Sequence, residues 1–177
     1  MIPFNQYTLH DEQHMVEWVN GALSLLPELS PKQREVRDRL LELLGSYAET
    51  NNLGLVIPAP FIVRMPEEMG CAREPDLLYI PNQYVEAVQE HYVESHGVGL
   101  VVEVTDARSR ALDLGEKLAD YQTAGIPEYW VVDVERETVQ IYLLDGARYR
   151  LATLDADGCY SSTVLNGFVL NPRLLWR

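Results

Sequence analysis

Three residues far apart in the chain carry types that could do chemistry together: Asp76 in "EPDLLYI", Glu103 in "GLVVEVT" and Lys117 in "RALDLGEKLADY". Lys117 is one of only two lysines, the other positive charges being twelve arginines. Along "GLVVEVT" a period of two puts Leu100, Val102 and Val104 on one face and Val101, Glu103 and Thr105 on the other. A carboxylate inside such an apolar strand loses hydration, which costs several kcal/mol unless a partner restores it. Asp76 follows Pro75 at the start of another apolar strand. Two carboxylates about 4 Å apart repel by roughly 4 kcal/mol at an effective dielectric of about 20. A divalent cation removes that repulsion, and two carboxylates with a backbone carbonyl and waters form a hard oxygen shell suited to Mg²⁺ or Mn²⁺. Lys117 borders a helical stripe of Ala111, Leu114, Leu118 and Tyr121, so its stem can pack on the sheet while the ammonium reaches back to the Glu103 strand. There it would orient a water nucleophile or stabilise charge on a phosphate.

Each residue also has an ordinary reading. A glutamate near a strand end reaches water or an arginine, and Pro-Asp is common where strands and turns begin. Asp113 and Lys117, one helical turn apart, form a surface pair worth about 0.2–0.5 kcal/mol. Taken singly, each residue favours that reading. The order of acid, acid and lysine on strand, strand and helix favours a site.

The elements that must position these residues are legible in outline. "HMVEWVNGALSLLP" places Asn20-Gly21 between apolar runs, predicting a tight hairpin. In "SPKQREVRDRLLELLGSYAETN", Ser30 caps and Pro31 opens an amphipathic helix of roughly five turns along Val36, Leu40, Leu43, Leu44 and Tyr47. "LGLVIPAPFIVRMP" reads as a bent or edge-like strand pair, and "NQYVEAVQEHYVES" as a short helix. "GVGLVVEVT" is a central strand. "RALDLGEKLADYQTAG" is a helix of about four turns ending at Gly125, with Gly115 inside it for close approach to the sheet, and "EYWVVDV" is a second buried strand. This strand–helix–strand unit predicts a right-handed parallel crossover. "TVQIYLL", "ARYRLATL" and "CYSSTVL" predict a C-terminal β-meander. The expected fold is α/β, with a mixed β-sheet flanked by helices, in a single domain over residues 1–177.

The composition is that of an ordinary soluble protein, with no run long enough to span a membrane and no secretory leader in "MIPFNQYTLHDEQ", which fits a cytoplasmic location. Cys71 and Cys159 have no metal or redox spacing and read as packed thiols. The four histidines, His10, His14, His91 and His96, form no motif and read as surface residues. Tyr129 and Trp130 read as core. A net charge of −13 is awkward for any role on nucleic acid, because phosphate contacts need Lys and Arg. Such a role needs a local arginine patch, a bound divalent metal or a second subunit. Apolar edge material such as "TVQIYLL" is the only hint of a homodimer.

The chain resembles the Uma-two family of restriction-endonuclease-type proteins, within the wider PD-(D/E)xK nuclease superfamily. The resemblance rests on "MVEWVNGAL", "SPKQREVRDRL", "EPDLLYI" and above all "LVVEVTDARSRALDLGEKLADYQTAGIPEYWVVDVERETVQIY". It implies a restriction-endonuclease-like core, with Asp76 and Glu103 as metal ligands and Lys117 as the catalytic lysine. The superfamily's lysine stands two residues after the strand acid. Thr105 occupies that place here, and the family pattern moves the lysine onto the helix. Glu17 would be an additional acid of the site, against an equal case for an exposed hairpin glutamate. Two departures stand out. Asp106-Ala107-Arg108-Ser109 replaces the family's Ser-Pro-Ser-Thr, and Gln33 stands where an early helix histidine is common. Arg108 and Arg110 are candidate phosphate contacts, with a solvated helix start as the commoner reading. The expected activity is Mg²⁺- or Mn²⁺-dependent hydrolysis of DNA. The alternatives are a non-catalytic module that kept the scaffold and a metal-dependent hydrolase of small phosphodiesters.

Overall fold

A computed structural model describes residues 1–8 and 15–177; His10 and His14 lie outside them. In chain order the elements are α1 (Phe4–Tyr7), β1 (Val16–Val19), β2 (Ala22–Leu25), α2 (Pro31–Thr50), β3 (Gly54–Pro58), β4 (Ile62–Arg64), β5 (Cys71–Arg73), β6 (Leu77–Pro81), β7 (Tyr92–Glu94) and β8 (Leu100–Thr105). Then follow α3 (Arg110–Asp113), α4 (Glu116–Thr123), β9 (Glu128–Asp133), β10 (Thr138–Asp145), β11 (Arg148–Leu151), β12 (Tyr160–Ser161) and β13 (Val169–Leu170). The fold is α/β with a mixed sheet, as its sequence pattern predicts.

Six strands in the order β11-β10-β9-β8-β6-β3 form the larger sheet. β8 and β9 are parallel, joined by the α3–α4 crossover, and the other pairs are antiparallel. β8 is buried along its whole length because both its faces are covered. On one face Leu100, Val102 and Val104 pack with Val36, Leu40 and Leu44 of α2. On the other, Val101 packs with Tyr121, Tyr129 and Val131 and with residues of a second sheet, among them Val63 and Cys71. The strand alternation therefore aims Glu103 at the α4 side. Tyr129 and Trp130 are wholly buried. The start of α2 is fixed locally: Ser30 Oγ accepts from the Gln33 amide at 3.2 Å, and Gln33 Oε1 accepts from the Ser30 amide at 2.8 Å.

The second sheet runs β2-β1-β5-β4-β7 and takes in the N-terminal hairpin. Asn20 and Gly21 turn it with φ of 51° and 77°, the left-handed pair that a two-residue hairpin loop demands. Four expectations need correction. The strands of "LGLVIPAPFIVRMP" do not pair with each other: β3 pairs with β6, β4 with β5 and β7, and the chain changes sheets across residues 59–61. "NQYVEAVQEHYVES" forms a 3-10 turn over Asn82–Ala87 and then β7. "CYSSTVL" leaves the β9–β10–β11 meander, and β12 pairs with β13 instead. It is drawn off by the buried Glu128 carboxylate, which accepts from Tyr160 OH at 2.8 Å, Thr163 Oγ1 at 2.6 Å and Trp130 Nε1 at 3.0 Å.

The fourth correction bears on the site. The helix after β8 is broken at Gly115 into α3 and α4. A Cβ on Gly115 would lie 2.6 Å from the carbonyl oxygen of Ala111, so glycine is required by the helix's own preceding turn rather than by the sheet. The break exposes Ala111 and leaves Leu114 and Leu118 half-buried. The buried stripe becomes Asp113, Lys117 and Tyr121. His96 is exposed and His91 is half-buried. Among the described residues no helix is long and apolar enough to cross a membrane.

Candidate active site

Asp76 ends the ladder between β6 and β8. The last backbone pair there is Leu77 with Val102, and beyond it Asp76 Oδ2 accepts the Val104 amide at 2.7 Å. On its other side Val104 is gripped by α2, whose Gln33 Nε2 donates to the Val104 carbonyl at 2.7 Å. One residue earlier, Glu103 Oε1 accepts from Lys117 Nζ at 2.9 Å and from Tyr121 OH at 2.8 Å. Asp76, Glu103 and Lys117 thus line one cavity, together with Asp113. Its volume is about 30 Å³, room for a water molecule or an ion and not for a nucleotide.

Lys117 is 2% exposed, so it is neither a border residue nor half of a surface pair. Its ammonium lies 3.0 Å from Glu17 Oε1 and 3.5 Å from Asp113 Oδ1, in addition to Glu103. Glu17 comes from β1 in the other sheet and is fully buried rather than exposed. Its Oε1 contact with Lys117 is an ion pair by distance without hydrogen-bond alignment. Its Oε2 accepts from Arg73 Nη1 at 2.6 Å, and Arg73 also holds Asp120, Nε to Oδ2, at 3.0 Å. Both oxygens of Glu17 therefore face cations. Chemical type and spacing do not single out Arg73 or Tyr121. The available signal for Arg73 was an arginine in a short strand three residues before Asp76.

Six carboxylates (Glu17, Asp76, Glu103, Asp113, Asp120 and the exposed Glu116) surround Lys117 and Arg73 here, a formal excess of four negative charges. Burial pushes the Asp76 carboxyl up to about 6, although its bond to the Val104 amide and the field of Lys117 pull the other way. Burial lifts Glu103 well above the usual range, Lys117 opposing and Asp113, Asp76 and Glu17 adding to the rise. Burial alone would depress the Lys117 ammonium; the fields of Glu103, Glu17 and Asp113 outweigh it and hold the amine protonated above the usual lysine range.

Among the described residues, Asp76 Oδ1 is buried and accepts no hydrogen bond. An orphaned carboxylate oxygen in an over-acidic pocket fits a divalent cation. No group of three or more His, Cys, Asp or Glu has metal-binding geometry among the described residues.

The candidate phosphate contacts are otherwise engaged. Arg108 Nη2 lies 2.7 Å from Asp106 Oδ2, and it donates to Gln33 Oε1 at 3.0 Å. Arg110 holds Asp133 at 2.6 Å and Glu135 at 2.8 Å. The two departures from the family pattern, Gln33 and the segment after β8, are thus in contact with each other.

A family model described as "Uma2: Putative restriction endonuclease" matches residues 3–173. Among solved structures, the chain is similar to a crystal structure described as a putative nuclease belonging to DUF820 from Anabaena variabilis ATCC 29413. The TM-score is 0.78 at 11% identity, over 99% of this chain and 98% of that one. At that identity the likeness concerns the fold. No curated protein matches the chain.

Proposed function

The chain belongs to the Uma2 family, and from that premise we propose that it is a metal-dependent nuclease that hydrolyses DNA phosphodiester bonds. The supporting observation is the convergence of Asp76, Glu103 and Lys117 on one narrow cavity, with one Asp76 carboxylate oxygen that has no donor among the described residues. Asp76 and Glu103 are the residues that would hold Mg²⁺ or Mn²⁺. The ion, when bound, would polarise the phosphate and acidify a water.

The remaining roles belong to the chain's own side chains. Lys117, kept protonated by its neighbours, acts as a cation rather than a base and stabilises charge on the phosphate oxygens. Glu17 holds it in place, with one oxygen on Lys117 and the other on Arg73. Tyr121 fixes the Glu103 carboxylate by donating to Oε1.

The test is cleavage of plasmid and oligonucleotide DNA with Mg²⁺ or Mn²⁺. Glu103→Gln and Lys117→Ala should each lower the rate by about 10²-fold or more, as loss of a preorganised charge does. Cleavage that both variants leave intact would refute these roles. A non-catalytic module is the second reading, favoured by the net charge of −13 and the narrow cavity. It predicts no Mn²⁺ binding in a calorimetric titration, where the nuclease reading predicts binding that Asp76→Asn weakens.

A further inference from the structure

Among the described residues, a second groove adjoins the narrow acid cavity. Met15, Leu26, Pro27 and Leu29 line it and also line a groove of about 200 Å³ along the first turns of α2, whose far wall carries Arg34 and Arg37. Other arginines near the acids are consumed: Arg73 by Glu17 and Asp120, Arg108 by Asp106, Arg110 by Asp133 and Glu135. Arg34 and Arg37 are engaged only at the surface, Arg37 giving Nε and Nη2 to Asp38 Oδ1 at 2.9 and 2.8 Å. Arg34 Nη1 donates to the Leu29 carbonyl at 2.7 Å. Arg37 pairs with its sequence neighbour Asp38, whose side chain is 61% exposed and therefore well screened. Arg37 is also among the cations whose field reaches Asp76. One acid, Glu28, shares the groove.

We propose that this groove binds the phosphodiester backbone of a single nucleic-acid strand, with Arg34 and Arg37 contacting phosphates next to the one that lies at the mouth of the acid–lysine cavity. The inference rests on the reading of that cavity as a phosphodiester site. Two arginines in a groove of this size make about two phosphate contacts, enough to follow one strand and few against the repulsion between a duplex and a chain of net charge −13. A single strand threads past Leu26 and Leu29, while an intact duplex meets an acidic surface with few cations to hold it.

Binding is read by fluorescence anisotropy of a fluorescein-labelled single-stranded oligonucleotide and of the matching duplex, with Ca²⁺ replacing Mg²⁺, across a salt series. For the wild type, log K against log salt should have a slope of about −1.4, roughly −0.7 for each single-strand contact. Arg34→Gln with Arg37→Gln should flatten that slope and weaken binding by on the order of tenfold or more. Arg148→Gln with Arg150→Gln, on the exposed strand β11, should leave both unchanged. Wild-type affinity in the Arg34/Arg37 pair, an equal loss in the β11 pair, or duplex binding as tight as single-strand binding would each overturn the proposal. Its failure is separable from that of the nuclease reading. Cleavage that needs Glu103 and Lys117 but ignores Arg34 and Arg37 sinks only the groove. Arginine-dependent binding without any cleavage sinks only the nuclease.

Discussion

The Asp76 carboxylate is divided, one oxygen on the Val104 amide and the other buried without a donor among the described residues. Its carboxyl sits at about 6 in the fold, against about 3.9 in an unfolded chain. The native state therefore holds this proton more tightly than the unfolded state. The stabilisation is complete below about pH 4 and is lost as pH rises through about 6. That difference corresponds to roughly 3 kcal/mol. Asp76→Asn keeps an acceptor for the Val104 amide and removes the ionisation. Relative to wild type, the metal-free variant should gain up to roughly 3 kcal/mol between pH 4 and pH 7 in urea unfolding. A difference that is flat with pH would mean that Asp76 is not held in a desolvated site. Lys117 behaves differently: removing it strands Glu17, Glu103 and Asp113 together, so Lys117→Ala is expected to lose stability as well as activity.

At the scale of elements, the break at Gly115 aims Lys117 inward. Helix propensity alone says that Gly115→Ala should stabilise by about 1 kcal/mol. The structure says the opposite, because the added methyl meets a backbone carbonyl at 2.6 Å. The variant should lose about 1–2 kcal/mol in thermal unfolding and displace Lys117, lowering cleavage with it. A stabilised, fully active variant would refute this account. The same helix shows what local pattern can and cannot convey. The alternation in "GLVVEVT" correctly separates Glu103 from Val102 and Val104, and Ser30 and Asn20-Gly21 mark their boundaries, because each depends on near neighbours. Helical spacing in "RALDLGEKLADY" misplaces Lys117 because it assumes an unbroken helix. The sheet change between β3 and β4 is invisible in two short proline-flanked strands. The pairing of Arg73 with Glu17 and Asp120 joins residues 56 and 47 positions apart, which no local period encodes.

For the molecule as a whole, part of the net charge of −13 lies where it is most costly, in a buried cluster that bridges both sheets. Glu17 and Arg73 belong to the five-stranded sheet and Glu103 to the six-stranded one. An ion captured by Asp76 and Glu103 should therefore tighten the joint between the sheets. Hydrogen exchange with Mn²⁺ should slow at β1 and β5 as well as at β8, and stay unchanged at β12 and β13. Protection confined to β6 and β8 would show that the sheets are not coupled through Lys117.

Val104 hangs between Asp76 on its amide and Gln33 on its carbonyl. α2 is thereby tied, at its first turn, to the same strand residue that steadies the acid. Whatever occupies Asp76 is therefore one strand residue away from the helix start that carries Arg34 and Arg37.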